Sequence, residues 1–210
     1  MSWTHAVGRV CGVLFDASVR MLALTRINPN VLTIMGLVVN TFAAFLFGYA
    51  NAENQRRMFF YAGLVIIGSG FFDLVDGAVA RASNKVSLFG GFFDSVVDRY
   101  SDASLFLGLL VFYGRGNRFF YVVLAALAMI SAIMVSYARA RAESLIGTCR
   151  VGFMERPERL VLLIIGAVFN VMAPALWVIA VLSTITVIHR ITYTWQRTKE
   201  MEASAPGRAA

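Results

Sequence analysis

Five of the six aspartates in this chain fall between positions 73 and 102, inside stretches otherwise apolar enough to lie in a membrane. They read Asp73-x-x-Asp76-Gly77-x-x-Ala80-Arg81 and, eight residues later, Gly90-x-x-x-Asp94-x-x-x-Asp98, with Asp102 one further turn on. An unneutralised carboxylate at a bilayer centre costs roughly 2.5–3.5 kcal/mol. Five together require a polar cavity, a metal ion, or both, which points to an active site rather than to packing. Asp73 and Asp76 are three apart, and Asp94, Asp98 and Asp102 four apart, so each set shares one helix face. Oxygen-only ligands suit a hard divalent cation, Mg2+ or Mn2+, better than zinc. With this many carboxylates two ions are expected, as in sites for in-line phosphoryl displacement. Gly77 would open the helix surface to a bulky substrate, and Arg81 would meet phosphate oxygens with its planar fork.

The elements that must position these acids are membrane helices. The chain is 59% hydrophobic and 15% charged, against about 25% charged in an ordinary soluble protein, and its mean hydropathy is +0.70. The apolar residues form long runs rather than the alternating ten-residue segments of a transmembrane barrel. The expected fold is all-α: a polytopic membrane protein with six transmembrane helices, preceded by an N-terminal interfacial amphipathic helix. The spans fall at roughly 31–50, 58–80, 91–113, 118–143, 157–171 and 174–195. By domain, 1–28 is the interfacial helix, 29–198 the six-helix membrane domain, and 199–210, rich in Ala, Ser and Gly, a disordered tail. The 82–90 connection is short, so the two acid-bearing helices are expected to be antiparallel neighbours.

Charge fixes an orientation. With the N-terminus cytoplasmic, the opposite face carries only Arg56, Arg57, Arg115 and Arg118, and the cytoplasmic face the other fifteen Lys and Arg. Both termini and the acids then face the cytoplasm. Basic residues bordering a membrane do not suggest nucleic-acid binding. Cys11 and Cys149 lie far apart without metal-type spacing, so free thiols are expected.

The full run Asp73-x-x-Asp-Gly-x-x-Ala-Arg-x8-Gly-x3-Asp-x3-Asp98 resembles the signature of the CDP-alcohol phosphotransferase family at every fixed position. In such enzymes an acceptor hydroxyl attacks the β-phosphorus of a CDP-linked donor and CMP leaves. The resemblance implies six spans after an interfacial helix, and a homodimer. It makes Asp73, Asp76 and Asp94 metal ligands and Asp98 the general base, also touching a metal. Gly77, Ala80 and Arg81 become CDP-binding positions, with Asn30, Thr33 and Ser87 as further nucleotide contacts.

A second constellation reads Ser136-Tyr-Ala-Arg139-Ala-Arg141-Ala-Glu143, then Glu155-Arg156-Pro157-Glu158-Arg159, with Arg190 near the end of the last span. Arginines alternating with glutamates suggest an organised pocket that holds some guanidinium groups for a ligand. These segments resemble the bacterial and archaeal members that use inositol 1-phosphate. The resemblance implies that Arg139, Arg159 and Arg190 bind the acceptor's phosphate. The reaction expected is transfer of the phosphatidyl group of CDP-diacylglycerol to inositol 1-phosphate, giving phosphatidylinositol phosphate and CMP. A phosphatidylglycerophosphate synthase is the alternative within the family, and a divalent-cation transporter the alternative outside it.

Overall fold

The computed structural model describes residues 28–82 and 87–204, excepting the side chains at positions 74, 76, 77, 80 and 82. The expected interfacial helix over 1–28 lies outside the described residues, apart from Asn28. Six α-helices make up the rest: α1 (Pro29–Tyr49), α2 (Gln55–Ala82), α3 (Leu88–Arg115), α4 (Phe119–Ile146), α5 (Arg156–Val168) and α6 (Met172–Ser204). No strand occurs among the described residues.

Local sequence sets where these helices begin and end. Asn28 accepts from the Asn30 N–H and Pro29 follows at the first turn, so α1 starts where a proline is best tolerated. Ser87 caps α3 by accepting from the Gly90 N–H at 2.9 Å. Gly147 closes α4 with a φ of 81°. Before Pro157, the Glu158 carboxylate reaches back to the Glu155 N–H at 3.0 Å and fixes the start of α5.

The chain runs up and down. At one end the Gln55 amide donates to Asn170 at 2.9 Å, and Arg115 donates to the Gly48 carbonyl at 2.6 Å. The starts of α1, α3 and α5 and the ends of α2, α4 and α6 therefore share the other end, where the acids are.

Helices α2 and α3 each pack mainly against α1 rather than against each other, contrary to the expectation from their short connection. Small residues on α1 make it the better seat. A Cβ on Gly108 of α3 would stand 2.2 Å from the Ala44 carbonyl oxygen of α1, so these backbones meet only because Gly108 has none. On the α2 side, Ser69 donates to the Gly36 carbonyl at 3.1 Å, and Asn40 and Ser101 join α1 to α3. Farther from the acids, Phe59 lies edge-on to Phe47 and Phe112, at 4.9 and 4.8 Å between ring centroids. That apolar core continues through Leu105, Leu163 and Ile179.

Helices α1, α4 and α6 are long and apolar enough to cross a membrane, and bulky residues such as Val38, Phe45, Leu127 and Ile188 are exposed on them. Helix α5 has 13 residues, about 20 Å of rise, less than a hydrocarbon core of about 30 Å. Helix α6 runs on through Ser204, so residues 199–204, expected in the tail, are helical. The Arg197–Glu200 pair at 2.9 Å and the Lys199 ammonium over the Trp195 ring sustain those turns.

Candidate active site

Asp73 lies two-thirds of the way along α2, and Asp94, Asp98 and Asp102 lie on successive turns of α3. What draws the two helices' acids together is an arginine. Arg156, at the first turn of α5, places Nη1 2.8 Å from Asp73 Oδ2 and 3.0 Å from Asp98 Oδ1. Its Nε donates to Asp102 Oδ1 at 3.2 Å. The other Asp102 oxygen accepts from Arg159 Nη2 at 2.8 Å. Asp94 makes no such contact but lies within electrostatic reach of Asp73 and Arg156. On the α1 side, a Cβ on Gly36 would stand 3.0 Å from Asp73 Oδ1, so α1 leaves just enough room for this carboxylate.

These acids form one side of a cavity of about 390 Å³. Asp94, Asp98 and Asp102 line it from α3, and Arg139, Arg159 and Arg190 face them. The three arginines are held differently. Arg139 bonds Glu143 and Glu155, each at 3.0 Å, and stays partly exposed. Arg190 is 1% exposed. It donates to the carbonyls of Val151 and Val135, at 2.8 and 2.6 Å, and to Glu155 at 3.0 Å. It thereby ties the 147–155 loop to α4 and α6. Gly152 lets that loop lie flat on α6: its φ is 102°, and a Cβ there would stand 2.4 Å from the Thr186 methyl. Arg159 is 2% exposed, and its Nε and Nη1 are buried with no hydrogen-bond partner. Two buried, unpaired charged donors at a cavity wall mark a place for an anion.

Of the expected nucleotide contacts, Asn30 and Ser87 lie together beside Gly90, where α1 meets α3. Asn30 Oδ1 lies 3.6 Å from where a Gly90 Cβ would be, and Ser87 is spent on capping α3. Thr33 is buried, with its hydroxyl turned to the Pro29 carbonyl at 3.3 Å. Arg81 is exposed near the end of α2. The side-chain positions of Asp76, Gly77 and Ala80 lie outside the described residues, although all three sit on α2.

The donor chemistry fits a divalent cation. Oxygens from two helices already converge on one positive centre at Arg156 Nη1, and hard cations take such ligands. Among the described residues no three acids close around a single point, so further ligands must come from elsewhere on this face.

A model of the family described as CDP-alcohol phosphatidyltransferase matches residues 26–195. The chain belongs to this family. It is 39% identical over 173 residues to the archaetidylinositol phosphate synthase of Pyrococcus horikoshii, spanning 82% of this chain and 86% of the relative. The crystal structure of Mycobacterium tuberculosis phosphatidylinositol phosphate synthase with CDP-DAG bound superposes with a TM-score of 0.77. Identity there is 28%, covering 93% of this chain and 96% of the other. The same enzyme in complex with manganese and citrate gives a TM-score of 0.74 at 28% identity, over 93% and 92% of the two chains. The CDP-alcohol phosphatidyltransferase described here is thus a transferase of phospholipid biosynthesis and an integral membrane protein.

Two residues that the sequence pattern includes, but to which it assigns no role, prove central to this transferase's site. Asp102 is an anchor for two arginines, and Arg156 is the cation that bridges the acids. The signal for Arg156 was present: it precedes Arg159 by three residues and so shares its helix face.

Proposed function

We propose that the protein transfers the phosphatidyl group of CDP-diacylglycerol to the hydroxyl of inositol 1-phosphate, releasing CMP. The observation that carries the phosphorylated acceptor is Arg159: it lines the cavity beside the acids, is held by Asp102, and keeps two buried N–H donors without a partner among the described residues. A neutral acceptor would leave those donors unsatisfied; a phosphate would take them in the fork geometry that guanidinium groups favour. The inositol phosphate synthases among the relatives support the same acceptor.

In this reading Asp73, Asp76, Asp94 and Asp98 hold Mg2+ or Mn2+, with two ions expected; the manganese of the mycobacterial relative supports a divalent metal. Bound there, the metal would polarise the donor pyrophosphate and neutralise charge on departing CMP. Gly77, Ala80 and Arg81, with Asn30, Thr33 and Ser87 near them, form the CDP side. Asp98, on the cavity wall, accepts the proton of the attacking hydroxyl. Arg159 and Arg139 hold the acceptor phosphate, while Arg190 keeps the wall that carries them in place.

Six spans after an interfacial helix, with this face cytoplasmic, complete the reading. Arg139, Arg141, Arg156, Arg159 and Arg190 lie at the acidic end, and Arg56, Arg57, Arg115 and Arg118 at the other, as the positive-inside rule requires. The shortness of α5 fits a helix whose first turn carries Arg156 and Arg159 inward to the acids. A cation transporter would need acids along a path through the bundle. Asp94, Asp98 and Asp102 instead line one cavity, with Asp73 joined to them through Arg156, and Phe47, Phe59 and Phe112 belong to the apolar core.

The test is CMP release by purified protein given metal, CDP-diacylglycerol and, separately, inositol 1-phosphate, glycerol 3-phosphate, serine or inositol. Release with inositol 1-phosphate alone is expected. Release with glycerol 3-phosphate alone would overturn the acceptor, and release with none would overturn the reaction.

A further inference from the structure

One guanidinium stands where carboxylates of two helices converge. Arg156 Nη1 holds Asp73 and Asp98, while Nε separately holds Asp102. Asp73, Asp94, Asp98 and Asp102 bring four carboxylates, and among the described residues only Arg156 and Arg159 pair with them directly. The cluster is short of positive charge, which is the condition a divalent ion relieves. Yet an ion bound by Asp73 and Asp98 would compete with Nη1 for those two carboxylates, and two cations at that separation repel strongly. One must leave when the other arrives.

The side chain is built to give way at one end. Its backbone is fixed at the start of α5, between Glu155 and Pro157, with Glu158 capping the turn. The guanidinium is a rigid planar fork, so it leaves Asp73 and Asp98 as one unit, by turning on its methylene stem and releasing Asp102 as it goes. The space it would enter is the cavity that Arg156 and Arg159 line together.

We propose that Arg156 is the resident counter-cation of the metal-free acids, and that a divalent ion displaces its guanidinium into the acceptor cavity, where it joins Arg159 on the acceptor phosphate. The proposal rests on the metal and acceptor sites of the preceding section and adds a coupling between them. Metal binding creates an anion ligand, so metal and acceptor strengthen each other's binding reciprocally.

The test is Mn2+ binding to the full chain in detergent, followed by electron paramagnetic resonance, with and without saturating inositol 1-phosphate. In the wild type the acceptor is expected to tighten Mn2+ binding at least fivefold. Arg156→Gln removes the competitor and the coupling together. It should bind Mn2+ at least threefold tighter than wild type without acceptor, and change less than twofold when acceptor is added. Wild-type Mn2+ affinity and intact coupling in Arg156→Gln would overturn the proposal while leaving the active site standing. Should Arg156→Gln fail to fold, Arg156→Lys decides. An ammonium lacks the planar fork that takes two phosphate oxygens, so coupling must fall; unchanged coupling would overturn the proposal too. Absence of Mn2+ binding in the wild type would instead sink the metal-site reading on which all of this rests.

Discussion

Arg159 donates to Asp102 across 2.8 Å, and both side chains are nearly shut off from solvent. The pair joins α5 to α3 at the cavity wall and leaves Arg159 Nε and Nη1 buried without a partner among the described residues. Because Asp102 holds Arg156 through its second oxygen, one carboxylate sets the position of two arginines.

Asp102→Asn is therefore expected to cost about 3 kcal/mol of stability, since it leaves Arg159 charged and buried without its counter-ion. It should also raise KM for the acceptor more than KM for CDP-diacylglycerol. Thermal unfolding and two-substrate kinetics check this. Equal effects on both substrates would mean that Asp102 does not organise the acceptor side.

Asp98→Asn keeps the shape of the site but removes the proposed base. Turnover is expected to fall by about 10²–10⁴, while CDP-diacylglycerol still binds. Near-normal CMP release by the variant would exclude Asp98 from proton transfer.

Arg190 offers a sharper contrast between sequence and structure. The family resemblance implies a phosphate ligand, yet it is buried and donates to Val135, Val151 and Glu155. Arg190→Lys retains the charge but cannot span three acceptors placed around a guanidinium fork. We expect a loss of about 2–3 kcal/mol and faster proteolysis between Gly147 and Glu155. Wild-type stability with only a raised acceptor KM would make Arg190 a direct ligand instead.

The chemistry was legible in the sequence because helical periodicity is local. Offsets of three and four put Asp98 and Asp102 on one face, and the structure shows both meeting Arg156. Helix starts at Asn28-Pro29 and Glu155-Arg156-Pro157 were equally readable, since caps and prolines act within a turn. What stayed hidden depends on which surfaces meet. The seat that α1 offers α2 and α3 arises from Gly108 against Ala44, a contact between distant segments. The bridge from Arg156 to Asp73 spans helices that are separated in sequence by α3 and α4, so no spacing rule reports it. Arg159 and Arg190 look alike as letters; only tertiary packing leaves one with free donors and the other with none to spare.

The account turns on the division of the site into acids that handle the donor and arginines that hold the acceptor's phosphate. The most direct measurement is the steady-state kinetics of Arg159→Gln, with folding verified by thermal unfolding and both substrates varied. A rise of at least thirtyfold in KM for inositol 1-phosphate, with KM for CDP-diacylglycerol within twofold of wild type, is the result predicted. An unchanged acceptor KM, or a shift confined to CDP-diacylglycerol, would contradict it.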